Sequence, residues 1–145
     1  AGMTPAILDV GSDTVFVNVL ETHLLNSLRA DNEQAKNEPI RLAIRTENGA
    51  VLAGISGRTS YGWLHVDMLW VAPEHRRQGY GRQLVNTALE RARSLGCHSA
   101  WLDTSNPVAS KIWKGLGFNE FGCLENAAHQ HPAGHRRWFL QKTPI

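Results

Sequence analysis

Between Val71 and Leu84 the chain reads Val71-Ala72-Pro73-Glu74-His75-Arg76-Arg77-Gln78-Gly79-Tyr80-Gly81-Arg82-Gln83-Leu84. Arg76, Arg77 and Arg82 surround Gly79 and Gly81 where an apolar segment gives way to an amphipathic one. Glycines let the backbone approach a ligand closely, and N–H groups at a helix start point at it with the positive end of the dipole. Arginine adds fixed charge in a planar fork that matches phosphate oxygens. The chemistry these residue types suit is the holding of a pyrophosphate. A Walker phosphate loop would need a Gly-Lys-Ser/Thr ending, which is absent. A dinucleotide fingerprint would need a third glycine and a later acidic residue, and the spacing is wrong for both. As a plain structural turn the glycines would be unremarkable, but the three arginines would lack a purpose.

The elements that must position this turn follow from periodicity. Trp63 to Val71 alternates as a strand, with His65, Asp67, Leu69 and Val71 expected on one face and Leu64, Val66, Met68 and Trp70 on the other. Leu84, Val85, Ala88, Leu89, Ala92 and Leu95 form a helical stripe that Gly96 ends. Ser99–Leu102 reads as a buried strand, so the strand-helix-strand unit implies parallel pairing with Trp63–Val71. Thr104-Ser105-Asn106-Pro107 is a helix start with proline at the first helical position, and that helix runs to about Leu116 before Gly117.

Ahead of this block, Ala6–Val10 reads as a short first strand. Gly11-Ser12-Asp13 offers a cap to a helix carrying Val15, Phe16, Val19, Leu20, Leu24 and Leu28 as one buried stripe. Arg29–Glu38 reads as a polar loop. Ile40–Arg45 and Val51–Ile55 pair across the Glu47-Asn48-Gly49 turn, and Thr59-Ser60-Tyr61-Gly62 makes a second turn. Phe118–Leu124 and Arg136–Gln141 make two closing strands around the loop Glu125–His135. The fold class is α/β, one mixed and mostly antiparallel central sheet flanked by helices on both faces.

The 145 residues suit one domain with a real core, expected over residues 3–145, with Ala1-Gly2 read as a tag remnant. Apolar residues at 42% and charged residues at 19% argue against disorder. The net charge of +2 is too small to imply nucleic acid by itself. No apolar run approaches a membrane span and no leader pattern opens the chain, so neither a membrane nor nucleic acid is expected as partner. Cys97 and Cys123 form no close pairing motif, which makes a reducing cytoplasm the expected location and buried small hydrophobes their simplest role.

Arg76-Arg77-Gln78-Gly79-Tyr80-Gly81 resembles the acetyl-CoA motif of the GNAT superfamily of N-acetyltransferases: Gln or Arg, two residues, Gly, one residue, then Gly or Ala. Val71-Ala72-Pro73-Glu74 before it, the Leu84–Leu95 stripe after it, Asn106 through Ala109, and Gly115-Leu116-Gly117-Phe118 stand where the family has their like. The resemblance spans roughly Trp63 to Phe118. It implies the GNAT acyl-CoA N-acyltransferase fold and acetyl-CoA as co-substrate, with no metal. It also implies a cofactor site of Leu69, Trp70, Val71, Arg76, Arg77, Gln78, Gly79, Tyr80, Gly81, Arg82, Asn106, Ser110 and Trp113, with Lys111 a further phosphate candidate. The pyrophosphate would lie on the turn, the pantetheine beside Leu69–Val71, and Asn106 would reach the pantetheine or thioester end.

Acetyl transfer to an amine needs a neutral nucleophile, an oxyanion stabiliser and a proton source for the thiolate. In family members that place an acid–base residue on the central strand, the positions of His65 and Asp67 carry it. His65 is the expected base, because an unperturbed imidazole titrates near neutrality. Asp67 is expected to orient it, bind a cationic amine or act through water. The alternative for both is a structural role in the strand. Backbone N–H groups near Leu69–Val71 are the expected oxyanion donors.

The chain departs from the family where many members have a tyrosine four residues after the alanine of the last helix. Here Ala109 is followed at that distance by Trp113, and an indole N–H is no practical acid. Ser110 or Tyr80 could donate instead, or the thiolate could leave into water. The departure keeps a non-catalytic acyl-CoA-binding or sensing module in view beside the enzyme reading. His129, His131 and His135 resemble a metal site by count alone, since their loop lacks an element to fix ligands. A nucleic-acid reading of Arg76, Arg77, Arg82, Arg91 and Arg93 is disfavoured by the lack of interleaved aromatics. The acceptor, a small-molecule or peptide amine, is not specified by the sequence, and neither is dimerisation through the closing strands.

Overall fold

The computed structural model describes residues 4–145, so the expected tag remnant lies outside the described residues. The chain divides into two compact units, Ala1–Gln34 and Ala35–Ile145.

In the first unit Asp13 caps helix α1 (Thr14–Asp31), its Oδ1 accepting from the N–H groups of Val15 (3.0 Å) and Phe16 (3.1 Å). The helix continues past Arg29 into the expected polar loop and closes at Asn32, whose N–H reaches Leu28 O at 2.8 Å. No residue of α1 is buried within its own unit, which among the described residues holds no second helix or strand for the apolar stripe to pack on. The strand expected over Ala6–Val10 does not form. Ile7 and Leu8 are exposed, and Asp9 Oδ1 instead accepts the Gly11 N–H at 2.9 Å in a local turn.

In the second unit six strands, β1 (Pro39–Arg45), β2 (Val51–Ser60), β3 (Trp63–Val71), β4 (Ser99–Thr104), β5 (Asn119–Glu125) and β6 (Arg136–Lys142), make one sheet in the order β1-β2-β3-β4-β6-β5. Every neighbouring pair is antiparallel except β3 and β4, which flank the helix α2 (Tyr80–Ser94). A parallel pair needs such a crossover. Helix α3 (Pro107–Gly115) follows β4. β2 runs further than expected, to Ser60, because Thr59 is tied into the sheet: its Oγ1 donates to Lys36 O at 2.8 Å and accepts the Glu38 N–H at 3.0 Å. The turn is confined to Tyr61 and Gly62.

The expected stripe of α2 is buried at Leu84, Val85, Ala88, Leu89 and Ala92. It joins Ile40, Ile55, Leu64, Val66, Leu102 and Leu140 from the sheet and Trp113 and Phe118 from α3 and its exit in one core. Burying side chains of this size contributes about 1.5–3 kcal/mol each.

The faces of β3 differ from simple alternation. The β2–β3 ladder pairs Ser56 with Met68 but Gly57 with Val66, so Asp67 is an extra residue on β3. Such a bulge inverts the alternation beyond it. Leu64 and Val66 are buried ahead of the bulge, whereas past it Leu69 and Val71 pack on the core, and Met68 and Trp70 turn outward. Gly57 is required here: a Cβ would stand 2.5 Å from the carbonyl oxygen of His65.

Candidate active site

The turn after β3 is a short 3-10 helix (Pro73–His75) followed by residues 76–79. Arg77 and Gly79 both have positive φ, 63° and 84°. Left-handed residues spaced this way turn successive N–H groups into one concavity that favours an anion. No side chain caps α2, and its first bond runs from Gln83 N–H to Gly79 O at 3.0 Å, which leaves the earlier N–H groups for a ligand. No heavy atom lies within 4 Å of where a Gly79 Cβ would stand, so the approach is open. Arg77, Gln78 and Arg82 are exposed, and neither arginine has an ion-pair partner among the described residues. Arg76 is used differently: its Nε turns back to donate to Val71 O at 3.1 Å, tying the turn to the strand end. Tyr80 packs against the core, and Gly81, next in the first turn of α2, faces Val71, whose Cγ2 a Cβ there would meet at 3.7 Å.

The strand leading into this turn has an open edge. β3 pairs with β4 only at Trp63↔Ser99, Leu64↔Ala100 and His65↔Trp101, although β3 continues to Val71. From Val66 onward its β4-facing backbone groups, those of Leu69 and Val71 included, lack a ladder partner, whereas those of Trp70, between them, face Gly54 of β2. An extended polar chain can occupy such an edge as a strand would.

His65 and Asp67 sit where the two strands begin to part. Nδ1 of His65 lies 2.9 Å from Oδ1 of Asp67, across the bulge. The imidazole stacks on Trp101 with centroids 4.0 Å apart and planes 24° apart. On its other side Nε2 lies 3.9 Å from Oδ1 of Asp103, beyond hydrogen-bond range, and is buried with no partner. Oδ2 of Asp103 accepts from Nε of Arg137 at 2.6 Å and forms an ion pair with its Nη2. Neither Asp103 nor Arg137 stands out in the sequence. Trp101, in register with His65, and the alternation that puts Asp103 on the same face of β4 were the signals available for the first. Arg137 depends on β6 entering the sheet beside β4.

Asn106 caps α3, Oδ1 accepting from Val108 N (2.9 Å) and Ala109 N (3.3 Å). Its oxygen is thus committed to the helix, and its amide nitrogen is the group left for a ligand. Ser110 and Trp113, expected at the cofactor, are buried on the core side of α3; Trp113 meets Phe118 edge-on with centroids 5.0 Å apart. Lys111 is exposed beside them. In the loop before β6, His135 Nε2 reaches Ser105 Oγ at 3.4 Å, while His129 and His131 stay exposed. Among the described residues no group of His, Cys, Asp and Glu is placed to hold a metal ion, and no helix is long and apolar enough to cross a membrane.

Residues 13–118 match the acetyltransferase (GNAT) family. Over 91 residues the chain is 35% identical to Acetyltransferase Atu2258 of Agrobacterium fabrum, covering 63% of this chain and 66% of that protein. Over 73 residues it is 34% identical to Blasticidin-S acetyltransferase of Streptomyces morookaense, covering 50% of this chain and 54% of that protein. The match therefore spans between half and two thirds of these curated relatives' lengths. A crystal structure of an Agrobacterium tumefaciens protein classed as an acetyltransferase superposes with a TM-score of 0.85 at 28% identity, over 97% of this chain and 99% of that one.

Proposed function

The chain belongs to the GNAT acetyltransferase family, and from that premise we propose that it transfers the acetyl group of acetyl-CoA to a primary amine on a small molecule or peptide. The amine attacks directly, in a ternary complex, and no metal takes part. The observation that carries this reading is the parting of β3 from β4 immediately ahead of the Arg76–Gly81 turn. An open strand edge that runs into an anion-binding helix start suits an extended chain ending in a pyrophosphate, which is the form of acyl-CoA.

In this reading the N–H groups around Gln78–Gly81 hold the pyrophosphate, and Arg77, Arg82 and Lys111 supply charge toward the nucleotide end. The free backbone groups of Leu69 and Val71 align the pantetheine arm and offer N–H donors to the oxyanion, Trp70 lies between them, and the Asn106 amide adds a donor from α3. The Asp67–His65 pair takes the proton of the acceptor amine, whose lone pair is then available for attack. The small-molecule class of acceptor is supported by the relative named for blasticidin S. A single domain over residues 3–145 and a cytoplasmic location belong to the same proposal.

The test is calorimetric titration with acetyl-CoA beside turnover on a panel of amines that includes blasticidin S. Gly79→Val puts a β-branched side chain at a φ of 84° and into the open approach. It should weaken acetyl-CoA binding by at least about tenfold, or ~1.4 kcal/mol, with far-UV circular dichroism unchanged. Equal affinity in the variant would sink the assignment of the turn. Tight binding with no turnover on any amine would favour the acyl-CoA-sensing module over the enzyme.

A further inference from the structure

We propose that the outer face of β1–β3 is a specificity groove for the acceptor, and that it selects a primary amine whose flat apolar body ends in a carboxylate or phosphate. The inference deepens the reading above and rests on it for the amine.

Alternation fixes the face. Ile40, Leu42 and Ile44 of β1 and Ala53 and Ile55 of β2 pack on the core, so Arg41, Ala43, Arg45, Gly54 and Ser56 look outward. The bulge at Asp67 turns Met68 and Trp70 to the same side, where they are 67% and 50% exposed. The register then lays two rows across the strands, Arg41–Ser56–Met68 and Ala43–Gly54–Trp70. Small residues lie along the floor and large ones at the rims, which leaves a shallow groove of about 420 Å³. That volume falls within the ~300–1,000 Å³ of small-molecule sites.

The two rims differ in kind. Met68 and Trp70 offer a thioether and an indole, which suit a planar apolar body. Arg41 and Arg45 are exposed, and neither has an ion-pair partner among the described residues. Neither β1 nor β2 carries an acidic side chain, and the exposed Arg58, cross-strand to His65, adds a third positive charge to the face. A polycationic acceptor would meet three like charges here, whereas an anion meets guanidinium forks that match its oxygens.

The groove opens beside the catalytic pair. Leu64 and Val66 are buried, so His65 stands on the outer face, with Asp67 at 2.9 Å and one residue ahead of Met68. Neighbouring strands are ~4.8 Å apart, so the backbone of Arg41, two strands from Met68, lies about 10 Å away. An amine held at Asp67, with its body on Met68 and Trp70, brings its far end to the arginines.

Two measurements test this, the first without turnover. In 15N-labelled protein the Trp70 indole signal, identified by its loss in Trp70→Phe, is followed during titration with para-ethylbenzoate and phenyl phosphate, which carry ring and anion but no amine. Both should shift it saturably, and the double variant Arg41→Gln/Arg45→Gln should weaken their binding by at least about tenfold, as for loss of a hydrogen bond to a charged group. In the second, kcat/KM is compared for para-aminoethylbenzoate, tyramine O-phosphate, tyramine and spermidine. At least one anionic amine should exceed tyramine by about tenfold or more, spermidine should be poorest, and the double variant should compress the ratio; the benzoate and phosphate arms show which anion is taken. A Trp70 signal indifferent to both anions, or equal kcat/KM for anionic and neutral amines, overturns the proposal. So does a double variant that aggregates while selectivity persists, because charge on an edge strand then serves only to block edge pairing. A dimer that Trp70→Ser dissolves overturns it too, since a second copy then covers the groove. If the anions bind but no amine is acetylated, the acyl-transfer reading falls and the groove's anion selectivity stands; acetylation without anion preference gives the reverse.

Discussion

Asp67 and His65 were legible as a pair because a period of two puts them on one face of a strand. Which of their atoms the fold covers was not. Sequence reasoning favours the imidazole as base, since a free ring titrates near neutrality, but it carries no information on which atoms the fold covers. Nε2 is buried and Nδ1 engaged, so Asp67 is the more exposed member of the pair. Asp67→Asn should therefore lower kcat by about 10²–10⁴ while the KM for acetyl-CoA stays unchanged, which steady-state kinetics on any accepted amine will show. Trp113 stands where the family pattern suggested a cofactor contact, and its indole meets Phe118 edge-on in the core. The two cysteines separate in the same way. Burial pushes the Cys97 thiol up, whereas Cys123 is exposed. A thiol-specific reagent should modify Cys123 rapidly in the native protein and Cys97 only on unfolding. The raised Cys97 favours the folded state least at alkaline pH: its stabilising contribution is present below the unfolded thiol's value and is lost as pH rises through the folded one.

At the scale of elements, α2 and β4 were readable because each buries an unambiguous stripe, and β3 because Gly62 and Pro73 bound an apolar run. The bulge at Asp67 was not readable, because one extra residue leaves the composition of a strand unchanged and shows only in the ladder it makes with β2. The first strand failed for a related reason: Ala6–Val10 has strand composition, but strands exist through partners, and none pairs with it. The bulge links fold to chemistry, since it sets the Asp67 carboxylate against His65 and releases Met68 and Trp70 outward. Gly57, opposite it, allows the close approach of the His65 carbonyl. Gly57→Ala should cost about 1–3 kcal/mol, because the clash is with backbone and not with the end of a flexible side chain. Chemical denaturation should report that loss. The same variant should impair turnover more than it impairs acetyl-CoA binding, because the strain falls on His65 and Asp67 and not on the Arg76–Gly81 turn.

Across the whole molecule, the order β4-β6-β5 brings Arg137 to Asp103 over 34 residues of sequence, a pairing that no local pattern announces. The same sheet leaves β3 and β4 apart, so a ligand seated there adds contacts that the unfolded chain cannot make. Ligand binding to the native state alone stabilises it by mass action, about 2.7 kcal/mol at a hundredfold excess over Kd. For a chain of this length that corresponds to a rise in Tm of about 5–10 °C. Thermal unfolding with saturating acetyl-CoA should show it, and Gly79→Val should largely remove it. The charge on Arg77 and Arg82 gives the effect a second signature. Both side chains are exposed, so their attraction for a pyrophosphate is screened as salt rises, with a Debye length of about 10 Å at 0.1 M and 3 Å at 1 M. At fixed acetyl-CoA concentration the Tm increment should shrink on going to 1 M salt. An increment that persisted undiminished would place the binding free energy in apolar contacts along β3 and not in the basic turn.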